Sequence, residues 1–380
     1  MLAGPYGSML MADLGAEVIK IEPPKGGDPM RQMGPHFLAG ESAYFLSINR
    51  NKQSVTLDLQ KEQGRQVFYD LVKVSDVVFD NYRPGVLEKL KCDYTVLKTI
   101  NPRVICCSIS GFGQTGPYRD RPAFDLVLQA LSGAMSITGE PGGAPTRMGV
   151  PMGDLAGGLF GAIAVSAALY QRERTGEGSR VELGLLDCMV SLLTYVAQYY
   201  FHTGIPPQPI GSAHQSVVPY QAFEAQDGWL VVAVFTERFW EGFCRALELP
   251  ELLPAARFRS NDLRREHRGE LIPLLATRFK TRPVEEWLTR LENEKVPSGP
   301  LNSLDRVFGD PQVLARGMKT SVAHPTIGEL PLVGNPIKVE GCADSFAPPP
   351  GLGEDTGHVL HGLLGYSDET IARLEEEGVI

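Results

Sequence analysis

Short β-branched runs alternate with amphipathic stretches through the first half of the chain. "LGAEVIKIEPP" (14–24) is apolar, β-branched and stopped by two prolines, which predicts a strand followed by a turn. A second strand is expected in "KQSVTLDL". Helical spacing follows in "KEQGRQVFYDLVKVS", then a strand in "DVVFDN", a helix in "LEKL" and a strand in "PRVICCSIS". Such alternation predicts an α/β protein with a Rossmann-like parallel sheet covered by helices on both faces. Three strand exits lead into loops rich in turn residues, "EPPKGGDP", "NYRPGV" and "GFGQTGPYRDRP". In open parallel sheets ligands bind at these carboxyl ends.

From Leu155 to Arg174 the residues "LAGGLFGAIAVSAALYQRER" read as one buried helix, with Asp154 as its N-cap and "TGEG" closing it. "SRVELGLLDCMVSLLTYVAQYYFHTG" predicts a strand and another long apolar helix. Near Gly204 the texture changes. "IPPQPIGSAHQ" is Pro-rich, "DGWLVVAV" resembles an antiparallel strand behind a turn, and amphipathic helices such as "TERFWEGFCRALEL" follow. A smaller α+β domain is therefore placed at 206–314, with a large domain formed by 1–200 and 320–380.

Composition narrows the classes of partner. Of 380 residues 43% are hydrophobic, and 45 acids against 36 bases give a formal charge of −9, with no basic stripe of the kind that tracks a phosphate backbone. Nucleic acid is not expected as a partner. Cys92, Cys106, Cys107, Cys188, Cys244 and Cys342 form no C-x-x-C pair, and four of them lie in apolar stretches, so reduced thiols and a cytoplasmic location are expected. No uninterrupted apolar run reaches the length of a membrane span, and the N-terminus lacks the order of a secretory signal. No membrane partner is expected either.

The chemistry concentrates in "GVPMGDLAGG" (149–158), where Asp154 stands alone among glycines and apolar residues. One reading is a structural N-cap. The other is a nucleophile: a helix N-terminus favours the ionised carboxylate, the glycines leave room for a bulky electrophile, and apolar neighbours would shield a reactive acyl anhydride from water. Competing motifs are weaker. The glycines of "SGFGQTGPY" run into Pro117 rather than a helix, so a dinucleotide fingerprint is rejected. No P-loop and no G-x-S-x-G elbow occurs, and the seven histidines lack ligand spacing, so no metal is expected. "GSAHQSVVPYQ", with Gly211, His214 and Gln215, is either a mobile loop over a site or a domain linker. Arg31, Arg50, Lys52, Arg83 and Lys89 fall near the expected loops, where each would meet a phosphate or simply be solvated.

With these segments assembled, the chain resembles the class III (CaiB/BaiF-type) coenzyme A transferase family. The resemblance runs from "LAGPYGSMLMADLGAEVIKIEPPKGGDPMR" through "SINRNKQSVTLDL", "DNYRPGVLEKL" and "NPRVICCSISGFGQTGPYRDRPAFD" to "GVPMGDLAGG" and "RTGEGSRVELGLLD", covering nearly the whole chain. In the second half, "GSAHQSVVPYQAF", "VPSGPLNSLDRVFGDPQV" and "HPTIGELPLVGNPIK" look most like members that act on dicarboxylates.

The resemblance implies that Asp154 attacks a donor thioester, passes through an aspartyl anhydride and an aspartyl-CoA thioester, and delivers CoA to a free carboxylic, most often dicarboxylic, acid. It implies CoA contacts at Leu57, Asn81, Tyr82, Lys89 and Phe124, with Arg50 and Arg83 as neighbours. CoA is then a substrate and no tightly bound cofactor is implied. Gly211 to Gln215 matches a glycine-rich lid of the family, of which only Gly211 remains glycine. An interlocked homodimer is implied as well. Two departures stand out. The sequence opens at "MLAGPYG", where relatives carry a strand before the matching turn, so a sheet strand and part of the adenine side of the CoA site are expected to be lacking. Relatives that racemise 2-methylacyl-CoA thioesters place a histidine at about Phe124; racemisation needs proton transfer on both faces of the α-carbon, so the transferase reading is preferred.

Overall fold

The computed structural model describes residues 1–341 and 345–380, so Cys342 lies outside the described residues. The chain divides into two compact units: Met1–Ala134 with Arg147–Thr203 and Pro311–Ile380, and Met135–Thr146 with Gly204–Asp310. The second unit takes in residues 135–146, which no shift in composition marks.

The first unit holds the strands β1 (Val18–Glu22), a short hairpin of β2 (Phe37–Leu38) and β3 (Glu41–Ser42), β4 (Lys52–Thr56), β5 (Val77–Asp80), β6 (Ile105–Ser110) and β7 (Arg180–Gly184). β1 pairs with β4 in parallel, and β5, β6 and β7 form a parallel three-stranded sheet in that order. Among the described residues the expected sheet is thus in two pieces. β6, "ICCSIS", is central and almost wholly buried, with Ser108 and Ser110 interrupting its apolar run.

The helices are α1 (Ala3–Asp13), α2 (Ala43–Ile48), α3 (Glu62–Val74), α4 (Val86–Lys89), α5 (Tyr94–Ile100), α6 (Asp125–Leu131), α7 (Met152–Thr175), α8 (Leu185–Ser191) and α9 (Thr194–Thr203). α3 buries Gly64, Val67, Leu71 and Val72, one stripe of an amphipathic helix. The long helix expected after β7 is instead broken into α8 and α9, because Thr194 takes a φ of 43° and interrupts the helical ladder.

α7 is long and apolar enough, by length and composition, to cross a membrane, although its uninterrupted run of apolar and small residues covers only 155–170. Its glycine side has a protein partner. A Cβ on Gly158 would fall 2.7 Å from the Ala3 carbonyl oxygen, and one on Gly7 would fall 2.7 Å from the Gly158 carbonyl oxygen, so α1 and α7 pack backbone to backbone. On the same side Gly161 lies against Phe79 of β5 and Ile109 of β6. This is the packing of a core helix.

The second unit is an antiparallel sheet of β8 (Tyr220–Glu224), β9 (Trp229–Ala233) and β10 (Ser298–Pro300), with β9 central. Helices α10 (Glu237–Ala246), α11 (Asn261–Glu266), α12 (Arg268–Phe279) and α13 (Val284–Asn293) cover it. Trp240, Phe243, Phe258, Phe279 and Trp287 fill its core, and the Trp287 indole donates to the Phe279 carbonyl at 2.7 Å. Returning to the first unit, the chain forms the hairpin β11 (Lys319–His324) and β12 (Gly328–Val333) and ends in two helices, Thr356–Gly362 and Asp368–Glu376. Val359, Leu360, Ile371, Leu374 and Val379 from this tail pack on Val55, Leu57, Val67 and Leu71.

Candidate active site

Asp154 is not the N-cap of α7. Pro151 holds that position, the Leu155 N–H donates to its carbonyl, and Asp154 is the third residue of the first turn. The helix starts earlier than expected because Met152 and Gly153 already have helical geometry. Burial pushes the Asp154 carboxyl up to about 6; the chain's amino group pulls it down and Asp125 pushes it further up. It remains mostly ionised at neutral pH, and its environment is drier than that of a surface acid.

Two neighbours that sequence reasoning missed shape this corner. Asp125, the first residue of α6, accepts the Gly153 N–H at 2.8 Å. Tyr44, on α2, has its hydroxyl pKa raised by burial and then by the charges of Asp154 and Asp125. The signal for Asp125 was present in "FDLVLQ", where Asp125 and Gln129 stand four residues apart on one helix face.

Phe124 precedes Asp125 in extended conformation and is 61% exposed, so α6 brings Phe124 and the start of α7 to the same corner. Asn81, at the exit of β5, ties that strand to α1 and β6: its amide donates to the Ile109 carbonyl at 2.8 Å and its oxygen accepts the Gly4 N–H at 3.4 Å. Tyr82 and Arg83 follow and are exposed, and Lys89 is exposed at the end of α4. Tyr82 and Arg83 line a cavity of about 330 Å³ together with Asp80, Ser108, Gln114 and Arg180. Its carboxylate, Asp80, takes the Ser108 hydroxyl at 2.5 Å and the Tyr82 N–H at 3.0 Å, and burial raises it to about 6. Asp80 and Ser108 share one face of the sheet, whereas Phe79 and Ile109 meet α7 on the other, so this cavity lies across the sheet from α7.

Two residues expected at CoA have buried side chains. Arg50 is 2% exposed, and its guanidinium is committed to Asp13 at 2.6 Å, to the Val333 carbonyl and to the Phe346 ring. A buried ion pair of this kind leaves no face for a phosphate. Leu57 is also buried, packed with Val55 and the C-terminal helices. Arg31 and Lys52 are inward too: Arg31 binds Glu22, and the Lys52 ammonium donates to the Pro5 and Ile48 carbonyls and to Asn49.

In the second unit Gly211 has a φ of 63° and its N–H donates to the Gly139 carbonyl at 2.9 Å. His214 stacks on Tyr220, its Nδ1 accepts the Ser216 and Val217 N–H groups, and its carbonyl accepts from Arg268 at 2.7 Å. Gln215 sits half-buried in the bend that follows. Among the described residues no group of three or more His, Cys, Asp or Glu is placed to hold a metal ion.

A carboxylate with a raised pKa at a glycine-lined helix start, with Asp125 beside it, is an arrangement that suits the class of acyl transfer through a side-chain oxygen. Comparison with known proteins gives the class its name: the model of CoA-transferase family III matches residues 1–356, and the chain belongs to that family and transfers CoA. It is 41% identical over 381 residues to the human succinyl-CoA:glutarate CoA-transferase, covering 100% of this chain and 87% of that protein. With the succinate–glutarate CoA-transferase of Agrobacterium fabrum it shares 37% identity over 380 residues, 98% of this chain and 94% of the relative. Among solved structures, a CaiB/BaiF family protein from Brucella suis superposes with a TM-score of 0.83 at 37% identity, covering 95% of this chain and 96% of the other.

Proposed function

We propose that the chain moves CoA from succinyl-CoA to a dicarboxylic acid of about the size of glutarate, with Asp154 as the covalent carrier. The substrates are inferred from the relatives, and the carrier from one observation: a mostly ionised, lightly solvated carboxylate at the start of α7.

Attack of an Asp154 carboxylate oxygen on the thioester carbonyl breaks the C–S bond, and the sulfur leaves as CoA thiolate with the electron pair. The product is a mixed anhydride between Asp154 and the donor acid. Thiolate then attacks the Asp154 carbonyl carbon, the donor acid departs as carboxylate, and an aspartyl-CoA thioester remains. The acceptor carboxylate attacks that carbon, expelling thiolate and forming a second anhydride. Thiolate attack on the acceptor acyl carbon yields the new thioester and frees Asp154. One thioester enters and one leaves, so no outside energy source is needed. Weak solvation at Asp154 serves both ends of the cycle, because it keeps the nucleophile reactive and water away from the anhydrides.

Asn81, Tyr82, Arg83, Lys89 and Phe124 are the residues we assign to CoA; Arg50 and Leu57 leave that set. The exposed aromatic ring of Tyr82 suits the adenine, and Arg83 and Lys89 suit phosphates. Phe124 offers a hydrocarbon ring and no proton acceptor, which supports transfer over racemisation. The segment 211–215 keeps the lid role that the family resemblance implies as a proposal, and within its own unit it is held by His214 and Arg268 rather than by glycine flexibility. The five free, buried thiols among the described residues support a reducing compartment such as the cytoplasm.

The deciding experiment incubates the protein with succinyl-CoA and no acceptor, quenches with hydroxylamine and maps the adduct by mass spectrometry. Modification at Asp154, with exchange abolished in Asp154→Ala while CoA binding persists, is the expected result. An adduct on another side chain would sink the reading.

A further inference from the structure

Gln129 lies on α6, wholly buried, one turn beyond Asp125. A polar side chain in that position is retained at little cost only when both ends of its amide are satisfied. Here they are: Nε2 donates to Asp125 Oδ2 at 2.7 Å, and Oε1 accepts the Met148 N–H at 2.9 Å. The second Asp125 oxygen accepts the Gly153 N–H at 2.8 Å. The polarity of this chain has one solution, because a backbone N–H only donates and an ionised carboxylate only accepts. The fit is also close, since a Cβ on Gly153 would fall 3.1 Å from Asp125 Oδ1.

We propose that Gln129 and Asp125 act together as positioning residues for Asp154, strapping both ends of the segment 148–153 to α6 so that the start of α7 presents the carboxylate in one place. The proposal rests on the reading of Asp154 as the nucleophile. Met148 is bonded through Gln129 and Gly153 through Asp125, so loss of either side chain frees an end of the lead-in to the reacting group. Covalent catalysis is sensitive to such slack, because the attacking oxygen must stay within near-attack distance of the carbonyl carbon. Asp125 adds a second effect as the carboxylate beside Asp154. The groups that face Asp154 are Asp125 from α6, Tyr44 from α2 and the chain's amino group ahead of α1.

A charge exchange between the two positions tests this. Asp125→Asn alone leaves amides at 125 and 129 that cannot satisfy Gly153 and Met148 together, and Gln129→Glu alone sets two carboxylates face to face. In the combined variant the amide N–H at 125 donates to the carboxylate at 129, whose other oxygen accepts the Met148 N–H, while the amide oxygen at 125 accepts the Gly153 N–H. Each single variant should lower kcat by about 10- to 100-fold with KM for both substrates nearly unchanged. The double variant should recover to within about threefold of the parent. Its pH–rate profile should also have the acid limb at lower pH, because the charge is now farther from Asp154.

A double variant no faster than the slower single would overturn the proposal, as would losses that track only the folded fraction measured by circular dichroism. Should Gln129→Glu not fold, Asp125→Asn decides alone: a fall in kcat with the acid limb displaced downward supports the strap, and unchanged kcat with an unmoved limb overturns it. Asp154→Ala separates the two readings. Continued exchange there sinks the nucleophile assignment, and with it the strap, whereas a dead Asp154→Ala beside unimpaired singles sinks the strap alone.

Discussion

A carboxyl raised to about 6 by burial is a liability for folding, and the sign follows from linkage. The unfolded chain releases the proton near 4 and the native state near 6, so stability falls as pH rises through that window and stays lower above it. Asp154→Asn should therefore be inactive yet more stable than the parent by roughly 1–3 kcal/mol at pH 7, with the difference vanishing below about pH 4 in urea titrations. Arg50 argues the opposite way. Its pairing with Asp13 is buried on both sides, so Arg50→Ala should cost about 3–5 kcal/mol, read from the same titrations. A phosphate contact would instead raise KM for CoA at constant stability. The sequence pointed to Asp154 through its glycine company. It hid the role of Arg50, because Asp13 lies 37 residues away and a cation near a loop reads as solvated. Gln129 was hidden for the same reason, since nothing local says that its amide closes onto Met148.

At the scale of elements, the seam between α1 and α7 sets where Asp154 stands. Gly158→Ala would push a methyl group to 2.7 Å from the Ala3 carbonyl and 3.1 Å from the Gly7 nitrogen, so the helices must separate. We expect a loss of about 1–3 kcal/mol in denaturant titrations together with a drop in kcat, because α7 carries the nucleophile. Gly149→Ala, which meets nothing within 4 Å, should change stability by under about 0.5 kcal/mol and serves as the control for stability alone. Strands β1, β4, β5, β6 and β7 were legible because β-branched runs end at clear turn residues. Less legible were features that depend on distant neighbours or on a single dihedral angle. The break between α8 and α9 turns on Thr194, whose residue type does not announce a left-handed conformation. The division of the parallel strands into two ladders is likewise a matter of pairing, which periodicity does not encode.

For the whole molecule, the first unit leaves large apolar side chains in the open: Ile163 and Tyr170 on α7 and Phe201 on α9 are each more than 60% exposed. Apolar surface of this kind on helices suits a second copy of the chain. We propose a homodimer on that basis, interlocked as the family resemblance implies. Light scattering at micromolar concentration should give twice the 41.5 kDa of one chain, and Ile163→Glu should weaken the assembly. The chain visits its two units in turn, and the first is completed only by its last residues: Ser54 N–H reaches the Asp355 carboxylate, and Thr56 N–H reaches the Thr356 hydroxyl. Synthesis proceeds from the other end. While the ribosome makes the intervening 300 residues, Val55 of β4 and Val67 and Leu71 of α3 wait for Val359, Leu374 and Val379, so the apolar patch between them stays open to water long after its first half has been made.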